Sequence, residues 1–461
     1  MTKTLEHIRK SAFWVLDALQ GGGVRKHFNE LKIVQANPNS TKSLEIRTKN
    51  LNKVLEHAVK TVPFYSKEVN GADLNIKNFP IIDKQLIRDN FESFRSSSFK
   101  DKHNHEVRTS GSTGNPFILY HDKNKRDRNT ADTLFFAKRA GFELGTKLYY
   151  LRLWDKQYQK NKLLSFVQNI STYSVDELDD IRLEMLVKEL LKDTGSVNIL
   201  AYSSALDTIC SYLDKNHPKQ KFRCRMDSVI AMAEALTPDV KEGFKKYFNA
   251  QVVSRYSNSE NGIFAQQGIN TTKDSFEINW ASYHIEILDL NEDRPAKYGE
   301  VGRVVITDYF NYAMPIIRYD TGDVAIMDVD QDNGNLVLSK IDGRKMDMFT
   351  NTKGEYISSH IIHHVLQYDG IEQFQFIEEL NNEYVIKLKM TRPLGSTEED
   401  ELVRIYSEYF GHGAKVTIEY VDHIPLLPSG KRKLVINNAI QKPARTKKDI
   451  IEETDTMDLV S

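Results

Sequence analysis

Between residues 128 and 257 the chain alternates short apolar runs with amphipathic helical patterns, and this constrains the fold more than any other feature. A helical pattern over 128–140 is followed by the strand-like "KLYYLRLW" at 147–154. A helix over 176–191 follows, with Ile181, Met185, Val187 and Leu191 as its expected apolar positions. Then come the strand "VNILAY" at 197–202, a helix over 205–213, the strand "DSVIAMA" at 227–233, a helix over 237–248 and the strand "AQVVSRYS" at 250–257. Strands separated by helical stretches of roughly 10–15 residues predict an α/β sheet with helices packed on it.

The texture changes after Glu260. "SYHIEILDL", "GEVGRVVITDY", "VAIMDV" and "NLVLSKI" read as short strands joined by turns, so antiparallel β structure is appended to the α/β core. From about residue 346 the pattern becomes that of a small α+β domain. It has helices over 358–367 and 398–410, and strands over 373–380, 383–390 and 414–421. The expected organisation is a large N-terminal domain over 1–345, with a helical extension over 1–50. A small C-terminal domain over 346–440 and a charged tail over 441–461 follow. A length of 461 residues requires more than one core in any case.

Charge and cysteine content exclude several function classes. The 63 Lys and Arg against 64 Asp and Glu leave a net charge of -1, which argues against broad nucleic-acid binding. Cys210 and Cys224 lie in no metal-ligand or disulfide spacing, which fits a reducing, cytoplasmic setting. "SAFWVLDAL" at 11–19 is apolar but short and interrupted by Asp17, so it reads as an amphipathic or docking helix ended by the glycines at 21–23. No run approaches the roughly 18 apolar residues of a membrane span. Peripheral membrane attachment through the first segment and a homodimer are both compatible with these features. Further on, "LNKVLEHAVKTVPFY" carries Leu51, Val54, Leu55, Ala58 and Val62 at helical spacing and stops at Pro63. "FPIIDKQLIRDNFESF" reads as a turn and a second helix with Asp83 as its N-cap.

The stretch "RTSGSTGNP" at 108–116 packs two glycines and four hydroxyl residues between two strand-like runs. It lacks the Lys-Ser/Thr of a Walker A loop and is no dinucleotide fingerprint. Glycines that turn backbone N–H groups toward an anion, with hydroxyls as added donors, would suit a pyrophosphate; a flexible surface hairpin is the equal alternative. Four further stretches bear on that choice. "RYSNSENG" places Glu260 just past a strand, where a carboxylate could hold magnesium shared with phosphates or could simply be solvated. "NYAMPIIRYDTGD" ends with Asp323 in a Thr-Gly-Asp turn, able to bind a ribose diol or to make an ordinary β-turn. "IDGRKMDMF" puts Arg344 at the texture change, as hinge or plain linker. "PLLPSGKRKLVI" puts Lys431 on a loop, as a functional or an exposed lysine.

Taken in this order, from about Leu51 to about Asn437, these elements resemble the adenylate-forming acyl/aryl-CoA ligase superfamily. The nearer resemblance is to the phenylacetate–CoA ligase family and its branch associated with capsule and surface-polysaccharide genes, carried also by "LNKVLEHAVKTVPFYSK" and "RAGFELGTKLYYLRLW". The resemblance implies a phosphate loop at Thr109, Ser110, Gly111, Ser112, Thr113 and Gly114. It implies an adenine-side segment at Met232, Ala233 and Glu234, and the Tyr-x-x-Thr-Glu motif on Tyr256 and Glu260 with Ser259 in place of Thr. Glu260 would be the magnesium ligand, Asp323 the ribose ligand, Arg344 the hinge arginine and Lys431 the catalytic lysine of the mobile domain. Trp154, Ser203 and Met232 are candidate acyl-pocket walls, and Asp155 is either an ammonium partner or an exposed strand-end residue.

Three departures qualify the match. Asn115 stands where a lysine is common, Met232 replaces a glycine, and Met346 stands where the hinge has an acid. The implied reaction activates a small carboxylic or amino acid with ATP and Mg2+ as an acyl-adenylate, then transfers it. The acceptor is an amine, such as an amino-sugar, or CoA; the hinge departure tilts the expectation toward the amine. A non-catalytic nucleotide-binding homologue is the alternative from another class.

Overall fold

The structure is a computed structural model. It describes residues 2–69, 73–109, 117–154, 162–193, 195–269, 274–344, 348–357, 361–362, 365, 367–368, 370–425 and 433–439. Two compact units are formed, one from Met1–Gly343 and one that includes Arg344–Pro425.

The first unit opens with helices. Asp17, near the end of α1 (Thr2–Leu19), accepts from the backbone N–H groups of Val24 and Arg25 and so caps α2 (Gly23–Ala36). The glycine run therefore ends one helix and starts the next. Phe13 and Trp14 pack against the core, while Leu5, Ile8, Val15, Leu16 and Leu19 stay exposed. α3 (Thr41–Thr61) buries Val54, Leu55 and Ala58 and stops at Val62. Pro63 then opens α4 (Pro63–Glu68), at a position where its missing N–H costs nothing. Asp83 caps α5 (Lys84–Asp89) through the Leu86 N–H at 2.8 Å, as its sequence context suggests, and α6 (Phe91–Phe94) follows.

β1 (His105–Thr109) and β2 (Phe117–His121) form an antiparallel pair closed by Thr109 opposite Phe117. Residues 110–116 between them, which carry Ser110, Gly111, Ser112, Thr113 and Gly114, lie outside the described residues. α7 (Lys123–Arg139) starts ahead of the expected residue 128, because the Asp122 carboxylate caps it through the Lys125 N–H.

The large sheet combines β3 (Lys147–Arg152), β4 (Ile170–Ser174), β5 (Ser196–Tyr202), β6 (Arg225–Met232), β7 (Val252–Asn258), β8 (Gly262–Gln267), β9 (Phe276–Ile278), β10 (Tyr283–Leu288), β11 (Val301–Asp308), β12 (Tyr319–Val329) and β13 (Leu336–Arg344). Its order is β10-β11-β12-β13-β9-β8-β7-β6-β5-β3-β4. The β4-β3-β5-β6-β7 half is parallel, and the pairs β7-β8, β8-β9, β9-β13, β12-β11 and β11-β10 are antiparallel. The mixed α/β sheet with appended antiparallel strands is the architecture expected from the sequence. β4, an edge strand behind α8 (Lys162–Gln168), was not anticipated.

α9 (Asp180–Lys192), α10 (Ser203–Asn216) and α11 (Pro238–Phe248) pack one core against the parallel half. On α9 the expected stripe is corrected. Ile181, Met185 and Leu191 are exposed, and Leu183, Leu186, Val187 and Leu190 face the core. Of the four expected positions only Val187 lies on the buried side. Two apolar stripes compete on this helix, and the sheet selects the one that repeats at 3, 4 and 7.

The second unit holds the short pair β14 (Phe349–Thr350) and β15 (Tyr356–Ile357). Beside it lies a four-stranded sheet of β16 (Ile371–Glu378), β17 (Glu383–Met390), β18 (Lys415–Tyr420) and β19 (Val435–Asn437), ordered β18-β17-β16-β19. α12 (Ser396–Phe410) covers it with Leu402, Tyr406 and Phe410. Much of the helix expected over 358–367 falls outside the described residues.

A buried ionic cluster fixes α7 in the first unit. Lys125 pairs with Asp308 at the end of β11 at 2.5 Å, both fully buried, and donates to the Tyr283 hydroxyl at 3.1 Å. Arg128 donates to Ser282 at 2.8 Å and pairs with Asp132 and with Glu30 of α2. Removing one partner of such a pair leaves a buried charge uncompensated, which costs about 3–5 kcal/mol. Asp308→Ala is therefore expected to lower the urea midpoint by that equivalent. Asp308→Leu combined with Lys125→Met should recover most of the loss. A cost for Asp308→Ala under about 1 kcal/mol would mean the pair is not the anchor.

Candidate functional site

The parallel half of the sheet ends at β7, and the chain returns antiparallel through β8. In open α/β sheets, ligands bind beyond the carboxyl ends of the strands where the topology changes. Ser203 follows β5, Met232 ends β6 and is followed by Ala233 and Glu234, Tyr256 lies near the end of β7, and Glu260 lies in the turn between β7 and β8. Trp154 follows β3, where its indole N–H donates to the Tyr173 carbonyl at 3.1 Å on the outer strand β4.

Each of these positions has a local cause. Ala233 adopts the left-handed region, with φ 71°, which is uncommon for a residue with a side chain and is kept only where its surroundings demand it. The Glu234 carboxylate accepts from the Ser204 N–H at 2.8 Å at the start of α10, where the helix dipole favours a negative charge. Ser203, the first residue of that helix, is buried.

Glu260 is held from several sides. His121 at the end of β2 donates from Nε2 to the Glu260 carbonyl at 2.6 Å, and the Tyr283 hydroxyl donates to the carbonyl of Asn261. The Asn261 N–H donates to the Asn258 side chain at 2.8 Å, which closes the turn. The Glu260 carboxylate is buried and ion-paired with Lys84, the first residue of α5. The Lys84 ammonium also lies over the Phe117 ring, 5.6 Å from its centroid, at the closing pair of the β1–β2 hairpin.

Asp323 does not sit in a simple turn. Arg303 pairs with Val324 and Val305 with Asp320, so Thr321, Gly322 and Asp323 bulge opposite Val304 inside β12. Gly322 takes φ 77°, as such a bulge requires. The bulge re-aims Asp323, whose carboxylate accepts from the Tyr256 hydroxyl at 2.8 Å. Burial and the Asp323 charge raise the Tyr256 phenol well above its ordinary range, so it stays a neutral donor. The Tyr319 hydroxyl is buried with no hydrogen-bond partner among the described residues. Burial, Glu260 and Asp323 all push its pKa up.

The structure thus brings Tyr256, Asp323, Tyr319, Glu260 and Lys84 into one neighbourhood. Arg344 ends β13, and nothing further is described of its side chain. Lys431, Asp155, Asn115 and Met346 lie outside the described residues. Among the described residues no three His, Cys, Asp or Glu side chains gather for a metal.

Lys84, Tyr319 and His121 were not found from the sequence. One signal existed for Lys84. A lysine in the first helical turn opposes the helix dipole, and such a placement needs a tertiary reason.

Burial and the nearby Lys125 charge depress the His121 pKa to about 3, and burial and Arg128 do the same for His27. The folded protein keeps both neutral, whereas the unfolded chain protonates them near 6.5. Their stabilisation is complete above pH 6.5 and is lost as pH falls from there toward 3, at about 1.4 kcal/mol per pH unit for each histidine. Denaturant midpoints should fall steadily between pH 7 and pH 5, and His121→Gln should flatten that slope. An unchanged slope in the variant would remove His121 from this role.

Residues 349–438 match the CapK C-terminal domain family. The chain is 21% identical to Protein CapK of Staphylococcus aureus over 418 residues, covering 86% of this chain and 89% of that protein. It is 22% identical to phenylacetate-coenzyme A ligase of Escherichia coli K12 over 324 residues, covering 66% and 71%. A crystal structure of 2-hydroxyisobutyryl-CoA ligase in the postadenylation state with R3-HIB-AMP shares the fold, with TM-score 0.68 at 15% identity over 92% of this chain and 93% of that one. In sequence and in fold, the chain resembles the adenylate-forming acyl/aryl-CoA ligase superfamily, on its phenylacetate–CoA ligase side and in the capsule-associated branch.

Proposed function

We propose that this protein is an AMP-forming ligase. It activates a small carboxylic or amino acid with ATP as an acyl-adenylate, releases pyrophosphate and transfers the acyl group to an amine acceptor, such as an amino-sugar of a surface-polysaccharide precursor. The observation that carries the reading is the Tyr256–Asp323 hydrogen bond beside the buried Glu260, at the point where the sheet turns from parallel to antiparallel.

A carboxylate is a poor acyl donor at neutral pH because its leaving group is poor. Attack of the carboxylate oxygen on the ATP α-phosphorus forms the P–O bond of the acyl-adenylate, and the bond to pyrophosphate breaks. No general base is needed, since the acid is already ionised. The protein must position the reactants and neutralise charge as it develops. Asp323, oriented by Tyr256, would accept from the ribose hydroxyls, with Arg344 as a further nucleotide contact. Met232, Ala233 and Glu234 would form the adenine side. The Thr109–Gly114 loop would hold the departing pyrophosphate through N–H groups and hydroxyls. Magnesium, when bound at Glu260, would supply charge neutralisation to the phosphates. In the second step the amine nitrogen attacks the acyl carbon, the amide bond forms and AMP leaves.

CoA as acceptor is the second reading, favoured by the likeness to named CoA ligases. ATP–pyrophosphate exchange across a panel of carboxylic and amino acids tests the first step, and product analysis with amino-sugars or CoA tests the second. CoA-dependent AMP release without amide would decide for the second reading. Lys431→Ala should lower exchange roughly 10²-fold or more, the scale of losing one electrostatic stabiliser, with ATP binding largely intact. Normal exchange in that variant would remove Lys431 from the mechanism.

Lys84 has a different role on this reading. It supplies a cation beside Glu260 where Asn115 leaves the phosphate loop without its usual lysine. Lys84→Met should weaken ATP and pyrophosphate binding by roughly 10-fold, as expected for one charge-assisted contact of about 1.5 kcal/mol. The KM for the acid should not move. A change confined to the acid KM would be the contrary result.

A further inference from the structure

Arg255 is an anomaly in the site neighbourhood. It lies one residue before Tyr256, and only 7% of it is exposed. Its Nε donates to the Gln266 side chain at 2.8 Å, and Gln266 in turn donates to the Phe136 carbonyl of α7. No carboxylate pairs with the guanidinium among the described residues, and Nη2 is buried without a hydrogen-bond partner. Burial lowers its pKa, to about 10, and among the described residues only the Tyr150 phenol, not a carboxylate, acts against that effect. Buried charges in proteins are otherwise paired, because desolvation of a lone ion costs several kcal/mol.

Register places the group. Tyr202, Met232, Arg255 and Gln266 form one cross-strand row, at the last residues of β5 and β6 and midway along β7. Val253, two residues earlier, packs with Ile230, with Ala137 of α7 and with Ala140 just past its end, so Arg255 lies on the face that α7 covers. Tyr256 points to the opposite face, toward Asp323. The Tyr150 side chain of β3 is the other polar neighbour that Arg255 feels. The partner missing from Arg255 is therefore an anion that enters beside Met232, on the side away from Asp323.

We propose that Arg255 is the binding residue for a second anionic group on the acid substrate, which makes the substrate a dicarboxylic acid or an acidic amino acid. This rests on the adenylation reading above. The substrate's distal carboxylate would make the bidentate contact that a guanidinium favours and would restore the missing pair. Its other carboxylate is left to react with ATP.

The test compares the full-length wild type with Arg255→Met and Arg255→Lys. Thermal melting comes first. Without ligand, Arg255→Met should melt at the same or a higher temperature, because an unpaired buried charge has been replaced by an apolar side chain of similar length. A clearly lower Tm would mean that the guanidinium is structural, and would overturn the proposal. Succinate, glutarate, aspartate and glutamate are then compared with butyrate, valerate and alanine, in thermal shift and in ATP–pyrophosphate exchange. At least one diacid should raise the wild-type Tm and drive exchange at least 100-fold better than its monoacid counterpart. Arg255→Met should lose that preference through the acid KM, with the ATP KM unchanged, and Arg255→Lys should regain part of it. Exchange with monoacids alone would overturn the assignment of Arg255 and leave adenylation standing. Diacid binding that depends on Arg255, with no exchange for any acid, would support the anion site and count against adenylation. No binding of any diacid would overturn the proposal.

Discussion

The pairing of Lys125 with Asp308 and the contacts around it fix where everything else in the first unit can sit. One turn of α7 joins three distant parts of the chain. Lys125 reaches the end of β11, Arg128 reaches Glu30 on α2, and Asp122 accepts from the backbone of Tyr312 and Ala313. The same turn follows His121, which holds the backbone of Glu260. A helix start that carries this many buried charges has few alternative positions, because each displacement strands an ion away from both water and partner. The cluster therefore does more for uniqueness of the site than for net stability. It sets the depth of the Glu260 turn relative to the bulge that presents Asp323.

That cluster also explains why part of the fold was illegible in the sequence. The run "HDKNKRDRN" reads as a solvated stretch, so the expected helix began only at residue 128. Lys125, Arg128 and Asp132 are in fact fully buried, and no periodicity of apolar residues could reveal that. On α9 the failure was of a different kind. Ile181 and Met185 suggested a stripe as good as Leu183, Leu186, Val187 and Leu190, and only the packed sheet distinguishes the two. β4 and β19 are short and contribute little pattern of their own. Where a segment's own pattern dominated, as in β17 over Glu383–Met390 or the cap at Asp83, sequence and structure agree.

The site divides along the same line. Tyr256, Glu260 and Asp323 were recognisable because they occur in short ordered motifs, although the bulge that turns Asp323 toward Tyr256 depends on the register of β11 against β12. Lys84 was invisible as a site residue because its role depends on a contact with Glu260, far along the chain. That contact resolves an electrostatic problem. Burying a carboxylate as deeply as Glu260 without a counterion is costly, and Lys84 supplies one in the ligand-free protein. When phosphates and a divalent ion arrive, an ammonium on a flexible four-carbon stem can shift toward the phosphates without giving up a charge-assisted contact.

β7 gives the arrangement its geometry. Successive side chains on a strand point to opposite faces, so Arg255 and Tyr256 cannot serve the same ligand group. Tyr256 and Asp323 belong to one face, and Arg255 to the other. On the proposed reaction, nucleotide and acid approach from opposite sides of one strand. They can meet only beyond its carboxyl end, where Glu260 turns the chain back. The switch from parallel to antiparallel pairing thus sets the reacting atoms past the end of the sheet. Pairing with β6 stops at Arg255 and pairing with β8 runs to Asn258, so beyond that point side chains and loops provide the chemistry.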